Sequence, residues 1–249
     1  MRIALILEYD GTHFHGWQQQ NSKLRTVQAV VEEALSKIAD EPIQVICAGR
    51  TDTGVHAHNQ VIHFDTSAKR DSYAWQIGTN TYLPDDVAVK SVHFVEDDFH
   101  ARYSAIQRTY RYIICNQKYK PALGRDYMTW ETRPLNEKLM HKAAQGLIGE
   151  HDFSSFRSSE CQSKTPFRCI DEISVTREND KVITVIKANA FLHHMVRNIM
   201  GVLITVGVGK QPVSWVKKVL DAKDRTVANV TAPANGLFLE SVLYPKEYL

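Results

Sequence analysis

One carboxylate stands between two threonines in a polar, glycine-flanked stretch, Ala48-Gly49-Arg50-Thr51-Asp52-Thr53-Gly54-Val55-His56-Ala57. Three chemistries suit an aspartate in such a place: one half of a protease dyad, the start of an Asp/His metal site with His56 and His58, or a lone catalytic carboxylate held by a cation. A protease dyad needs two carboxylates sharing a proton, each following an apolar strand. Here Arg50-Thr51 precede the Asp, and the sequence has no second Asp-Ser/Thr-Gly. For a metal, Asp52, His56, His58, His193 and His194 are the candidates, but D-x-x-x-H-x-H has no helix-face spacing like that of H-E-x-x-H. The sequence predicts no metal, and His56 as a residue that shapes its loop.

The third chemistry needs a cation. In residues 191–204 nearly every side chain is apolar except His194, Arg197, Asn198 and Gly201. Their spacing of i, i+3, i+4 and i+7 makes one polar stripe on a largely buried helix. A buried guanidinium requires an anion. Either Arg197 snorkels to the surface, or it pairs with a carboxylate at the bottom of a cleft, for which Asp52 is the candidate. Tyr110 and Tyr112 share one strand face by the period of two, with the flanking arginines alternating to the other. Such aromatics can stack a nucleobase while arginines meet phosphate; for Tyr112 a place in the core is the expectation.

The elements that must position these residues follow from periodicity. Residues 3–9 read as a strand, and Thr26 caps a helix whose apolar positions are Val27, Val30, Val31, Ala34, Leu35 and Ile38. Strands at 43–47 and 60–64 flank the Asp52 turn, and a helix at 73–79 precedes a strand at 87–94. The second half repeats this β-α-β-β-α-β order: strand 110–115, helix 135–148, hairpin 169–176 with 182–188, helices 191–206 and 213–222, and strand 237–243. The fold class is α+β: two tandem split β-α-β domains, ferredoxin-like or RRM-like, residues 1–104 and 105–249, whose antiparallel sheets adjoin to form a central cleft. Within the second of these, residues 153–166 form a serine-rich basic loop able to order on a ligand.

Composition excludes several classes. An apolar share of 43% and a charged share of 23% over 249 residues exclude a disordered or fibrous chain. No apolar run is long enough to span a bilayer, and Glu8 and Asp10 interrupt the start before a signal-peptide core could form, so a cytoplasmic protein is expected. The cysteines, Cys47, Cys115, Cys161 and Cys169, form no C-x-x-C pair and read as reduced. Charge is uneven: residues 1–104 carry 9 Lys+Arg against 14 Asp+Glu, residues 105–249 carry 21 against 14. A basic half suits an anionic partner such as nucleic acid.

Taken in order, Tyr9-Asp10-Gly11, Gly16-Trp17-Gln18, the Asp52 stretch, Asp98-Phe99-His100-Ala101-Arg102, Tyr110-Arg111-Tyr112, Asp152-Phe153-Ser154-Ser155-Phe156 and His193-His194-Met195-Val196-Arg197-Asn198 resemble the TruA family of tRNA pseudouridine synthases. The likeness runs through nearly the whole chain; Thr53 stands where alanine is also familiar. It implies isomerisation of uridines in the tRNA anticodon stem-loop, at tRNA positions 38, 39 and 40, without metal or cofactor, by a homodimer. It implies Asp52 as the catalytic carboxylate, Arg50 holding the flipped nucleotide, Tyr110 against the base and Arg197 facing Asp52. Arg102, Arg108, Arg111, Arg157, Lys164 and Arg168 are then the expected phosphate contacts.

Overall fold

The structure, a computed structural model, describes residues 1–20, 24–228 and 230–248. The strands in chain order are β1 (Arg2–Tyr9), β2 (Ile46–Cys47), β3 (His56–Asp65), β4 (Val87–Val95), β5 (Gln107–Asn116), β6 (Thr129–Glu131), β7 (Gly149–Asp152), β8 (Phe167–Glu178), β9 (Lys181–Ala188) and β10 (Leu237–Leu243). The helices are α1 (Val27–Ala39), α2 (Thr79–Tyr82), α3 (Glu137–Ala144), α4 (Met195–Gly207), α5 (Trp215–Ala222) and α6 (Arg225–Ala228). Contacts divide the chain into two compact units, Met1–Ile106 with Phe238–Leu249, and Gln107–Leu237.

The first crossing lies close to the expected boundary, but the C-terminal segment returns to the first unit, a correction to the 105–249 assignment. Phe238 and Leu239 pair in parallel with His56 and Ala57 of β3. Tyr244 is buried, donates its Oη to the Ala101 carbonyl at 2.6 Å and packs on Phe99. Alternation marks residues 237–243 as a strand; it carries no information about which strand will be its partner.

In the first unit the strands run β4-β1-β3-β10, with β2 also paired to β3. The β1–β3, β1–β4 and β2–β3 pairings are antiparallel. Ile3, Ala4 and Leu5 are all fully buried, which explains why β1 reads as an unbroken apolar run. Its Ala4 face packs with Ala48, Val61, Phe99, Ala101 and Tyr244. Thr26 caps α1 by accepting the Ala29 N–H, and Asp40, at φ 57°, ends it in the left-handed conformation. The strand expected at 43–47 shortens to β2 for a local reason. Ile43 donates its N–H to Ser36 Oγ and Val45 to Glu32 Oε1, so side chains of α1 take donors that a ladder would use. The expected helix at 73–79 is a π turn, Ala74–Gly78, running into α2.

His63 on β3 is buried, and its Nδ1 accepts the Ala101 N–H at 3.1 Å, with the His100 ring centroid 4.8 Å away. Burial first, then the nearby His100 and Arg2 charges, pushes its pKa down to about 4. Unfolding therefore takes up a proton between pH about 6.5 and 4, and this part of the stability is full above that window and lost as pH falls through it. In His63→Asn the Oδ1 keeps the acceptor and removes the titration. The drop in Tm between pH 6.5 and 4 is expected to be smaller in the variant than in the native protein; equal drops would contradict this role.

In the second unit the strands run β5-β9-β8-β7, with successive neighbours antiparallel, and β6 lies parallel to β5. Asn136 caps α3 by accepting the Leu139 N–H. The helix expected to 148 stops at Ala144, because the chain tightens into a 3-10 turn, Gln145–Leu147, and Gly149, at φ 99°, redirects it into β7. The helix expected from 191 begins at Met195, since His194 takes a positive φ of 62° and cannot continue a right-handed turn. β6, β7 and α6 have no counterpart in the sequence reading, being too short to show a period.

Candidate active site

Asp52 lies in the turn joining β2 to β3, and the chain around it is tied at every side. Trp17 donates its N–H to the Thr51 carbonyl at 3.0 Å, and Val55 donates to the Asp52 carbonyl at 3.1 Å. The Tyr9 and Thr51 hydroxyls share a buried hydrogen bond of 2.8 Å. Gln60 donates Nε2 to the Gly49 carbonyl at 2.6 Å. Close backbone approach explains the glycines nearby. A Cβ on Gly11 would stand 2.0 Å from the Val55 carbonyl oxygen; Gly16, at φ 82°, would put one 2.8 Å from the Thr51 oxygen. Thr51 is buried, Thr53 exposed and Asp52 half-buried, so the turn presents one carboxylate from a fixed base.

Arg50 is exposed on the same turn. Its charge and that of exposed Arg102 both act on Cys47, whose thiol burial pushes up to about 12 against their pull. Cys47 is thus an inert core thiol, while Arg50 and Arg102 add positive potential beside the turn. His56 shapes its loop: the Gly11 N–H donates to its Nδ1 at 3.0 Å, and its ring stacks on Phe238 with centroids 4.7 Å apart. His58 stacks on Phe238 as well and meets Glu240 through Nδ1 at 3.1 Å.

In the second unit the polar stripe of α4 docks on backbone. Arg197 donates Nε to the Ala232 carbonyl at 2.9 Å, and Ala232 returns its N–H to the Arg197 carbonyl at 3.0 Å. Asn198, fully buried, donates Nδ2 to the Phe156 carbonyl at 2.7 Å. A Cβ on Gly201 would lie 1.8 Å from the Val230 carbonyl oxygen, so only glycine lets the segment after α6 run so near the helix. The stripe that reads as a cleft lining in the sequence therefore also fixes residues 230–232 against α4, leaving Arg197 half-exposed.

Tyr110 is 8% exposed and stands edge-on to Phe191 at 4.9 Å. Tyr112 is a core residue: its hydroxyl meets Thr129 Oγ1 at 2.6 Å and the Pro233 carbonyl at 2.8 Å, and burial raises its pKa. Arg108 corrects the alternation argument. It has the parity of the tyrosines, is buried with them, and donates Nη1 to the Asn189 carbonyl at 2.8 Å. Arg157 and Arg168 brace the serine-rich loop from within. Arg157 Nη2 donates to the Cys161 and Ser163 carbonyls at 2.7 and 2.9 Å, and Arg168 Nη2 to Ser163 Oγ at 2.7 Å. Arg111 is half-buried and Lys164 exposed. Asp52, Arg50 and Arg102 thus belong to the first unit, and the other expected site residues to the second.

A residue without a place in the sequence expectations is Arg225, which donates Nη2 to Asn198 Oδ1 at 3.0 Å and to Thr231 Oγ1 at 2.8 Å. Its signal was faint, a single arginine in a short polar segment whose partner is a buried asparagine on another element.

Comparison with known proteins bears on what these arrangements serve. Residues 5–104 and 143–245 match the model of a family described as tRNA pseudouridine synthase. A protein of Legionella pneumophila (strain Corby) called tRNA pseudouridine synthase A is 58% identical over 248 residues, covering 100% of this chain and 94% of that one. Proteins of the same name from Shewanella denitrificans and Shigella boydii serotype 4 are 53% and 54% identical, over 100% and 99% of this chain and 95% and 91% of theirs. The family model covers most of the chain and these relatives align along nearly all of it, so the chain belongs to the tRNA pseudouridine synthase family, isomerases that convert uridine in tRNA to pseudouridine.

Proposed function

We propose that the enzyme isomerises uridines of the tRNA anticodon stem-loop, at tRNA positions 38, 39 and 40, with Asp52 as its catalytic carboxylate and with neither metal nor organic cofactor. The observation that carries this reading is the Asp52 turn: buried Thr51, bonded through Tyr9 and Trp17, and two close-approach glycines tie the backbone that carries one half-exposed carboxylate. In the same reading the protein works as a cytoplasmic homodimer, and each half of the chain is a variation on the split β-α-β unit.

The chemistry asks little beyond that carboxylate. The N1–C1′ bond breaks, the uracil turns, C5 joins C1′, C5 gives up its proton and N1 gains one. Bonds of similar energy are exchanged and no electrons are transferred, so no redox partner is needed. Asp52 acts ionised, either attacking C1′ or removing the 2′ proton toward a glycal. Arg197 supplies the cation that keeps the carboxylate ionised and aimed. Tyr110, in its apolar setting against Phe191, lies against the loose uracil and helps remove the C5 proton. Arg50, exposed on the same turn as Asp52, holds the extruded nucleotide. Extrusion costs a few kcal/mol, which phosphate contacts from the basic half offset. Of the arginines and lysine expected to make them, Arg102 and Lys164 are exposed, Arg111 is half-buried, and Arg108, Arg157 and Arg168 act first by shaping their own surroundings.

Carbodiimide mapping of pseudouridine in an undermodified tRNA tests the substrate. Stops are expected at positions 38, 39 and 40 and nowhere in the other arms; conversion confined to another arm would contradict the anticodon assignment.

A further inference from the structure

Within the second unit lies a pocket of about 600 Å³ whose walls include Arg157, Arg225, His194, Ser158, Ser159 and Thr231, with no carboxylate among the described residues that line it. We propose that it takes a phosphodiester group of the RNA substrate, a proposal that rests on the tRNA reading above.

The charge accounting points there. Several guanidinium groups elsewhere in the chain meet carboxylates, Arg2 with Asp65, Arg25 with Asp86, Arg133 with Glu131, Arg177 with Glu137. The hydrogen bonds of the two in this pocket go to neutral oxygens of the described residues. Arg225 is held from behind by the neutral Asn198 Oδ1 and Thr231 Oγ1, both through Nη2, and its Nε and Nη1 have no partner among the described residues. Arg157 is held by two carbonyls through its own Nη2. Glu160, next to Ser159, is exposed and is not among the described residues that line the pocket, and two other nearby carboxylates are engaged elsewhere. Asp152 accepts from the Ser154 N–H and hydroxyl and has Lys223 at 3.9 Å, and Asp224 accepts from Thr226. What remains is a fixed, half-buried guanidinium fork with free donors beside a second cation and the Ser158 and Ser159 hydroxyls. That donor set matches the tetrahedral oxygens of phosphate.

A polymer phosphate suits it better than a free one because of where the pocket sits. His194 in its wall is the residue immediately before α4, and α4 carries Arg197. Asn198, which holds Arg225, follows Arg197 directly, so a bound phosphate would sit at the same end of the helix as the proposed catalytic cation and would be braced by the same buried amide.

The test is RNA binding as a function of salt. Arg225→Gln keeps an N–H for Asn198 and Thr231 and removes the charge. With anticodon stem-loop RNA and the full-length protein, fluorescence anisotropy is expected to show about tenfold weaker binding. The slope of log K against log salt should become shallower by about 0.7 to 0.9, one phosphate's share. If the variant folds poorly, single methylphosphonate linkages in the RNA replace it: one linkage should weaken native binding by the same factor. A folded Arg225→Gln protein with native affinity and slope would overturn the proposal. So would inorganic phosphate that raises the native Tm through Arg225 without competing with RNA, since the pocket would then serve a free anion. Native protein that fails to bind the RNA at all would strike the tRNA reading itself, whereas native turnover with an indifferent Arg225 would strike the pocket alone.

Discussion

Asp52→Asn is expected to lower uridine isomerisation by about ten-thousand-fold or more while leaving Tm and RNA affinity near native. The asparagine has the same shape, and it leaves in place the bonds through the Asp52 main chain, Thr51 and Gly49 that tie this turn. Only the negative charge and its nucleophilic or basic oxygen are lost. Multiple-turnover assays beside anisotropy binding separate the two quantities. A variant that binds poorly and turns over in proportion would make Asp52 a binding residue; one with near-native turnover would remove it from catalysis.

Gly11→Ala should be the most damaging of the conservative changes in the first unit. The new methyl would stand 2.0 Å from the Val55 carbonyl oxygen and 2.5 Å from its carbon, both backbone atoms that cannot rotate away. Either the 10–17 segment or the Asp52 turn must shift. The expected loss of stability is about 3 kcal/mol. A displacement of about 1 Å in the turn would cost a further hundredfold in kcat even for the molecules that remain folded. Denaturant unfolding gives the first number, and activity corrected for the folded fraction the second. Native stability in Gly11→Ala would mean that the two segments lie farther apart than 2.0 Å allows.

Much of this was legible in the sequence, and the reasons differ from place to place. α1 could be read because its cap and its apolar positions agree, and Thr26 does accept from Ala29. The extent of β2 could not, because Ser36 and Glu32 intercept its N–H groups from another element. The return of β10 to β3 is a long-range parallel pairing without local trace. At the site, Asp52 stood out by its isolation among small polar residues. The α4 stripe was visible by spacing, but its use in docking residues 230–232 needed coordinates, since the partner atoms are main-chain carbonyls that no side-chain pattern encodes. Arg108 departs from the alternation of arginines with tyrosines on that strand, because its even number puts it on their face and into the interior.

The most direct measurement is single-turnover tritium release from anticodon stem-loop RNA labelled at uridine C5, in excess EDTA, with native and Asp52→Asn proteins in parallel. Forming the C5–C1′ bond must expel that label. The expected result is full release by the native enzyme in EDTA and none by the variant. Release that requires an added divalent metal, or that proceeds at the native rate without the Asp52 carboxylate, would contradict isomerisation by a lone aspartate.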